Sequence, residues 1–159
     1  MATAAVIADA SALIALAQIE RLAILESLFG RILVPPAVAQ EVAPSIPDLP
    51  HWVELGTPRK QDERVLAAAL GPGETDVLCL GIETPASWLI LDDRGARRLA
   101  RALGMKTLGT AAVLVEAKRA GFVESVRPLL DLLVKKGFHL APELYQTILR
   151  IAGETDPES

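Results

Sequence analysis

Six carboxylates stand where carboxylates can do chemistry. Asp9 directly follows the apolar run Val6-Ile7-Ala8, and Asp92 and Asp93 directly follow Leu89-Ile90-Leu91. Glu41 sits late in a segment opened by Pro35-Pro36, and Glu74 and Asp76 follow Gly71-Pro72-Gly73. Gathered carboxylates repel one another, so an ionised cluster is stable only beside a compensating cation. Hard oxygen donors without Cys or His select Mg²⁺ or Mn²⁺. An ion held this way activates water and neutralises charge on a phosphodiester during hydrolysis.

Each of these residues has a plainer use when taken alone. Asp9, Ser11, Asp92 and Asp93 are good caps for a helix that follows a strand. Glu41 alone reads as a solvated helix residue. Glu74 and Asp76 favour a helix N-terminus through its dipole. They are two apart, about 200° around a helix, so both face one metal only if Glu74 lies outside the regular turn. The functional case rests on the set.

The elements that must position the set are short buried strands alternating with helices. Ala4 to Ala8 is an apolar run without alternation, the pattern of a strand covered on both faces. A helix with Leu13, Ile14 and Leu16 follows, then one carrying Leu22, Leu25, Leu28 and Phe29 that stops at Gly30. Residues 31–34 form a second strand, and Pro36 suits the first turn of a helix holding Val38 and Val42. A weak strand is expected at 52–55, helices at 61–70 and 74–83, and a buried strand at 88–91. The next helix shows Ala96, Leu99, Ala100 and Leu103 on one face. Residues 106–108 give a strand and 110–120 a helix. Two further helices carry Leu129, Leu130 and Leu133, then Leu144, Ile148 and Ile151, with Pro128 and Pro142 acceptable only in first turns. The class is therefore α/β with a mainly parallel sheet. Such sheets place their sites outside the carboxyl ends of the strands, where Asp9, Asp92 and Asp93 fall.

Composition narrows the function further. The chain has 159 residues, a length suited to one domain, and 51% apolar residues, enough for a sizeable core. Residues 1–153 read as that domain and 154–159 as a flexible polar tail. The net charge of −4 excludes nucleic-acid binding by bulk charge, so such binding needs a local patch or a metal. One cysteine, Cys79, excludes an internal disulfide framework, and with His51 and His139 it supplies too few soft ligands for structural zinc. The longest uncharged stretch is the ten residues 10–19, against about 20 for a spanning helix. The N-terminus lacks a basic n-region, so a cytoplasmic location is expected. Aromatic residues at 4% are poor material for base-stacking platforms. Gly71-Pro72-Gly73 lacks the third glycine and the Gly-Lys-Ser/Thr of a nucleotide loop. Neither histidine lies near a Ser or Cys nucleophile, which leaves a catalytic triad unsupported. Arg94, Arg97, Arg98 and Arg101 form a stripe at i, i+3, i+4 and i+7, which reads as a solvated basic face or as phosphate contacts close to Asp93.

The ordered series resembles a known family. Val6-Ile7-Ala8-Asp9-Ala10-Ser11 is followed by Val38-Ala39-Gln40-Glu41-Val42 and by Gly73-Glu74-Thr75-Asp76. Then come Leu89-Ile90-Leu91-Asp92-Asp93-Arg94-Gly95-Ala96-Arg97 and Leu108-Gly109-Thr110. This resembles a PIN-domain protein, in the branch with Gly-Glu and Asp-Asp motifs that is similar to VapC-type toxins, from about Val6 to Gly153. The resemblance implies an α/β/α sandwich and a Mg²⁺- or Mn²⁺-dependent ribonuclease. It matches Asp9 to the first family carboxylate and Glu41 to the second. Asp76 best matches the third, with Glu74 as neighbour or substitute, and Asp93 the fourth, with Asp92 beside it. Ser11 and Thr110 match small hydroxyl positions near the metal, and Arg97 fits the family motif as a substrate-phosphate contact. A homodimer and an antitoxin protein that blocks the site are implied partners, with RNA as substrate. Two other classes compete: a PIN-like module that binds RNA or protein without cleaving, and a phospho-receiver domain. The latter expects its Asp pair early and a Lys after the last strand, whereas here the pair comes late and Thr110 takes that place.

Overall fold

The computed structural model describes residues 5–84 and 88–155. Ala4 of the expected first strand, and residues 156–159 of the expected tail, lie outside them. Five strands are described: β1 (Val6–Ala8), β2 (Ile32–Val34), β3 (Val53–Leu55), β4 (Trp88–Ile90) and β5 (Lys106–Leu108). They form one sheet in the order β3-β2-β1-β4-β5, and every pairing is parallel. The first half of the chain builds outward from β1 through β2 to β3, and the second half from β4 to β5. The strand order therefore reverses between β1 and β4, where Ile7 pairs with Leu89 and Ala8 with Ile90. A crevice at such a switch point, beyond the carboxyl ends of the strands, is where open α/β sheets hold their ligands.

Helices cover both faces and complete an α/β/α sandwich. They are α1 (Ala10–Gln18), α2 (Ile24–Phe29), α3 (Pro36–Val42), α4 (Glu63–Ala67), α5 (Pro72–Glu83), α6 (Arg94–Ala102), α7 (Thr110–Arg119), α8 (Arg127–Lys135) and α9 (Pro142–Ile151). Central strands are apolar because both faces are covered: Ile7, Ala8, Leu89 and Ile90 have no exposed surface. Burying each large side chain of this kind stabilises the fold by roughly 1.5–3 kcal/mol. The outer strands β3 and β5 are only partly buried, and Lys106 of β5 lies over the Trp88 ring at 5.4 Å.

Two helix boundaries differ from the pattern in ways that matter. The helix expected over 61–70 is only Glu63–Ala67, because Asp62 caps it by accepting the Arg64 N–H and Ala69 takes a positive φ of 52°. The helix expected from Glu74 starts at Pro72, since proline fits a first helical position and Gly71 takes the extended cap conformation. Gly73 is thereby inside the helix. Pro128 and Pro142 lie in the first turns of α8 and α9. Among the described residues no helix is long and apolar enough to cross a membrane.

Glu154, the first residue of the expected tail, is held firmly. Its carboxylate accepts the Val126 N–H at 2.7 Å, the Ser125 hydroxyl at 2.7 Å, the Arg127 N–H at 3.0 Å and the Lys118 ammonium at 2.9 Å. The clamp ties the end of α9 to α7 and to the entry of α8.

Candidate metal centre

β1 and β4 end side by side, and each delivers a carboxylate to the crevice. Asp9 continues the pairing, with its backbone N–H donating to Ile90 O at 3.1 Å. It occupies the cap position of α1, yet its side chain makes no cap hydrogen bond there. The residue is only 3% exposed, and its Oδ1 is buried without a hydrogen-bond partner. Burial pushes the Asp9 carboxyl up to about 7. The Ala10 N–H offsets part of that shift, and the neighbouring charges of Glu74, Glu41 and Asp92 add to it.

Gly73 brings two of these carboxylates to one point. A Cβ at Gly73 would lie 3.2 Å from Asp9 Oδ1 and 3.2 Å from Glu41 Oε1. The first turn of α5 approaches this closely only because it carries no side chain there. Glu74 follows in the same turn and folds back over Gly71, whose Cβ would meet Glu74 Oε2 at 2.6 Å. Glu41 reaches the point from the last turn of α3, which packs against α5.

Asp92 is the best-tethered member. Its Oδ2 accepts the Thr110 hydroxyl at 2.6 Å and the Ser11 hydroxyl at 3.1 Å, and its Oδ1 accepts the Thr110 N–H at 2.9 Å. One carboxylate thus joins the N-termini of α1 and α7, where the helix dipoles favour negative charge. Asp93 is exposed and lines, with Asp92, the groove along α6. Its Oδ2 accepts the Ala96 N–H at 2.8 Å and caps α6.

The structure therefore brings Asp9, Glu41, Glu74 and Asp92 together, sets Asp93 beside Asp92 in the groove along α6, and leaves Asp76 farther off. Asp76 lies two residues beyond Glu74 on a regular helix, so it projects elsewhere. Its charge acts on Cys79, whose thiol is pushed up first by burial and then by surrounding carboxylates. Among the described residues, no group of three or more His, Cys, Asp or Glu side chains stands where it could hold a metal ion by itself. Mg²⁺ seldom relies on such a group: it keeps several waters and takes one or two carboxylates plus substrate phosphates. A buried carboxylate oxygen without a donor, facing a second carboxylate across a glycine, with two more charges close by, fits such an ion.

Arg97 flanks the centre. Its guanidinium lies against Gly109 beside Asp92: a Cβ at Gly109 would meet Asp92 Oδ1 at 3.3 Å and an Arg97 terminal nitrogen at 3.4 Å. Its Nε is buried without a hydrogen-bond partner. Burial and then the nearby Arg101 lower its pKa, while Asp92 raises it.

The family model DUF3368, a PIN domain, matches residues 5–154. The chain belongs to the PIN-domain family. No curated protein and no solved structure matches it. The match ends at Glu154, the residue that closes the C-terminal clamp, so this PIN domain runs through the helical part that β5 and α7 precede. Within it, sequence reasoning passed over Gly73 as a chain break. The signal was present: a glycine after a helix-starting proline and before a glutamate has no use as a breaker.

Proposed function

We propose that this PIN domain is a Mg²⁺- or Mn²⁺-dependent endoribonuclease. The observation that carries the reading is Asp9 Oδ1, buried without a donor and set against Glu41 across Gly73. Family membership supports a nuclease-type fold. Asp9 and Glu41 would hold the ion, with Glu74 and Asp92 as flanking ligands, directly or through water. When bound, the ion supplies charge neutralisation at the scissile phosphate and a water of lowered pKa. The chain's own residues do the rest. Ser11 and Thr110 fix the Asp92 carboxylate, so that it meets its partner without reorganisation. Arg97 would hold a phosphate oxygen through its terminal nitrogens, which stand near Gly109 beside Asp92. Asp76 and Asp93 are assigned lesser parts, Asp93 as the cap of α6.

The finer parts of the proposal follow the resemblance to VapC-type toxins. The substrate is RNA, an antitoxin protein covers the carboxylates, and the chain works in the cytoplasm as a homodimer.

The deciding experiment is cleavage of a panel of structured and unstructured RNAs with Mn²⁺ or Mg²⁺, with EDTA and Asp9→Asn as controls. Cleavage lost in both controls is expected. Full activity in Asp9→Asn would overturn the assignment. Metal binding by a folded protein that cleaves nothing in the panel would favour a non-catalytic PIN module.

A further inference from the structure

The arginine stripe of α6 lines a groove. Arg94, Arg97, Arg98 and Arg101 share one face of that helix, and His139 of the α8–α9 connection lies across from them. The groove has a volume of about 690 Å³, and Asp92 and Asp93 are part of its lining. The opposite face of α6 buries Ala96 and Ala100, so the arginines are held on a packed helix and not on a loop.

Among the described residues these four guanidiniums take part in no ion pair. Three arginines elsewhere are paired: Arg31 with Glu54, Arg64 with Asp62 and Arg119 with Glu116. A chain of net charge −4 thus gathers four cations in one concave strip whose lining carries only two carboxylates, Asp92 and Asp93. Such a strip concentrates positive potential and calls for a polyanion. Guanidinium forks match phosphate oxygens in pairs. Asp92 lines the groove together with the arginines, so a strand with one phosphate at the carboxylates has a path along α6. No Phe, Tyr or Trp lines the groove, which removes base stacking as a contributor.

We propose that the groove between α6 and the α8–α9 connection is a backbone-tracking channel for single-stranded RNA, in which Arg94, Arg98 and Arg101 hold phosphates that flank the one at the carboxylates. The inference rests on the nuclease reading for its choice of ligand. Binding through this channel is sequence-tolerant, because phosphate contacts position a strand without reading it.

The test is fluorescence anisotropy with a labelled 12-nucleotide oligouridine in EDTA, where no cleavage intervenes, across a salt series. Single-stranded binding changes with a log–log salt slope of about 0.7 per neutralised phosphate, so the wild-type slope is expected near 3. Arg94→Gln/Arg98→Gln/Arg101→Gln should lower the slope by about 2 and weaken binding at low salt at least roughly tenfold. Arg21→Gln/Arg59→Gln/Lys60→Gln removes the same charge from exposed positions elsewhere and should leave most of the slope. Circular dichroism checks that both variants fold. Equal loss in the two variants, or an unchanged slope in the first, would overturn the channel. Oligoglutamate that displaces the RNA from the wild type at equal charge concentration would assign the groove to an acidic polypeptide instead. The two readings fail separately. RNA bound with the expected slope but never cleaved with Mn²⁺ removes the nuclease and keeps the channel. Cleavage with a slope untouched by the triple variant does the reverse.

Discussion

Asp9 and Glu154 are both carboxylates withdrawn from water, and the chain treats them in opposite ways. Glu154 is met by two backbone N–H groups, a hydroxyl and an ammonium. Burial pushes its carboxyl up, but the donors outweigh that and leave it lowered to about 2. Asp9 is given no donor for Oδ1 and three carboxylate neighbours, and it is raised to about 7. A buried charge with all its partners consolidates the fold, whereas one without them is a standing cost that a proton or an external cation relieves. The C-terminal clamp contributes stability, and the strand-end crevice gives some of it up.

The widest separation between the two comes from removing each charge. Asp9→Asn is expected to stabilise the metal-free protein. A carboxyl raised from 3.8 to about 7 on folding costs stability as pH rises between those values, by at most about 4 kcal/mol above pH 7. The gain in Tm should therefore be larger at pH 8 than at pH 5, and excess Mn²⁺ should stabilise the wild type but not the variant. Thermal melts in EDTA at the two pH values check it, and a variant that melts lower at pH 8 would break the contrast.

Glu154→Ala should do the opposite. It leaves the Val126 and Arg127 N–H groups without their acceptor and the Lys118 ammonium with the Ala152 carbonyl alone, at a cost of about 3 kcal/mol. A carboxyl lowered on folding stabilises above its unfolded pKa and loses that contribution as pH falls. The deficit should thus be complete above about pH 4.5 and vanish toward pH 2. Urea titrations across that range read it directly. RNA cleavage by the folded fraction should hardly change, because the clamp touches none of the crevice carboxylates.

These regions were unequally legible in the sequence. Strand-end Asp9 stood out because an apolar run without alternation ends on it, and the parallel sheet then dictates where it points. The choice between neighbours was hidden. Asp92 and Asp93 are adjacent, and only the structure shows that Asp92 takes the bonds from Ser11 and Thr110 while Asp93 caps α6. α5 begins at Pro72, two residues before the expected Glu74, and in that register the charge of Glu74 is among those acting on Asp9. The clamp had no local pattern at all. Its donors come from positions 27 to 36 residues before Glu154, brought together by the packing of α9.

Gly73→Ala sharpens the comparison most finely, because it separates the two demands within a single methyl group. Alanine is the better helix former by up to about 1 kcal/mol, so propensity alone favours the variant. Against that, the new Cβ would sit 3.2 Å from both Asp9 Oδ1 and Glu41 Oε1, closer than ordinary contact. Glu41 is exposed and its long side chain swings away at little cost, whereas Asp9 is short and buried. The two oxygens then no longer share one point. Stability should change by less than about 1 kcal/mol, while misplacement by a few tenths of an ångström lowers cleavage roughly tenfold. The loss should shrink as Mn²⁺ is raised, since a displaced ligand weakens the metal before it alters the chemistry. Gly81 of the same helix provides the control, because a Cβ there would press on Met105 and Leu89 at 2.8 and 2.9 Å in the core. Gly81→Ala should therefore lower Tm and leave the metal dependence of the folded fraction as it was. If Gly73→Ala instead melts early with normal metal dependence, Gly73 serves packing as Gly81 does. The close approach of α5 to Asp9 and Glu41 would then belong to the fold and not to the site.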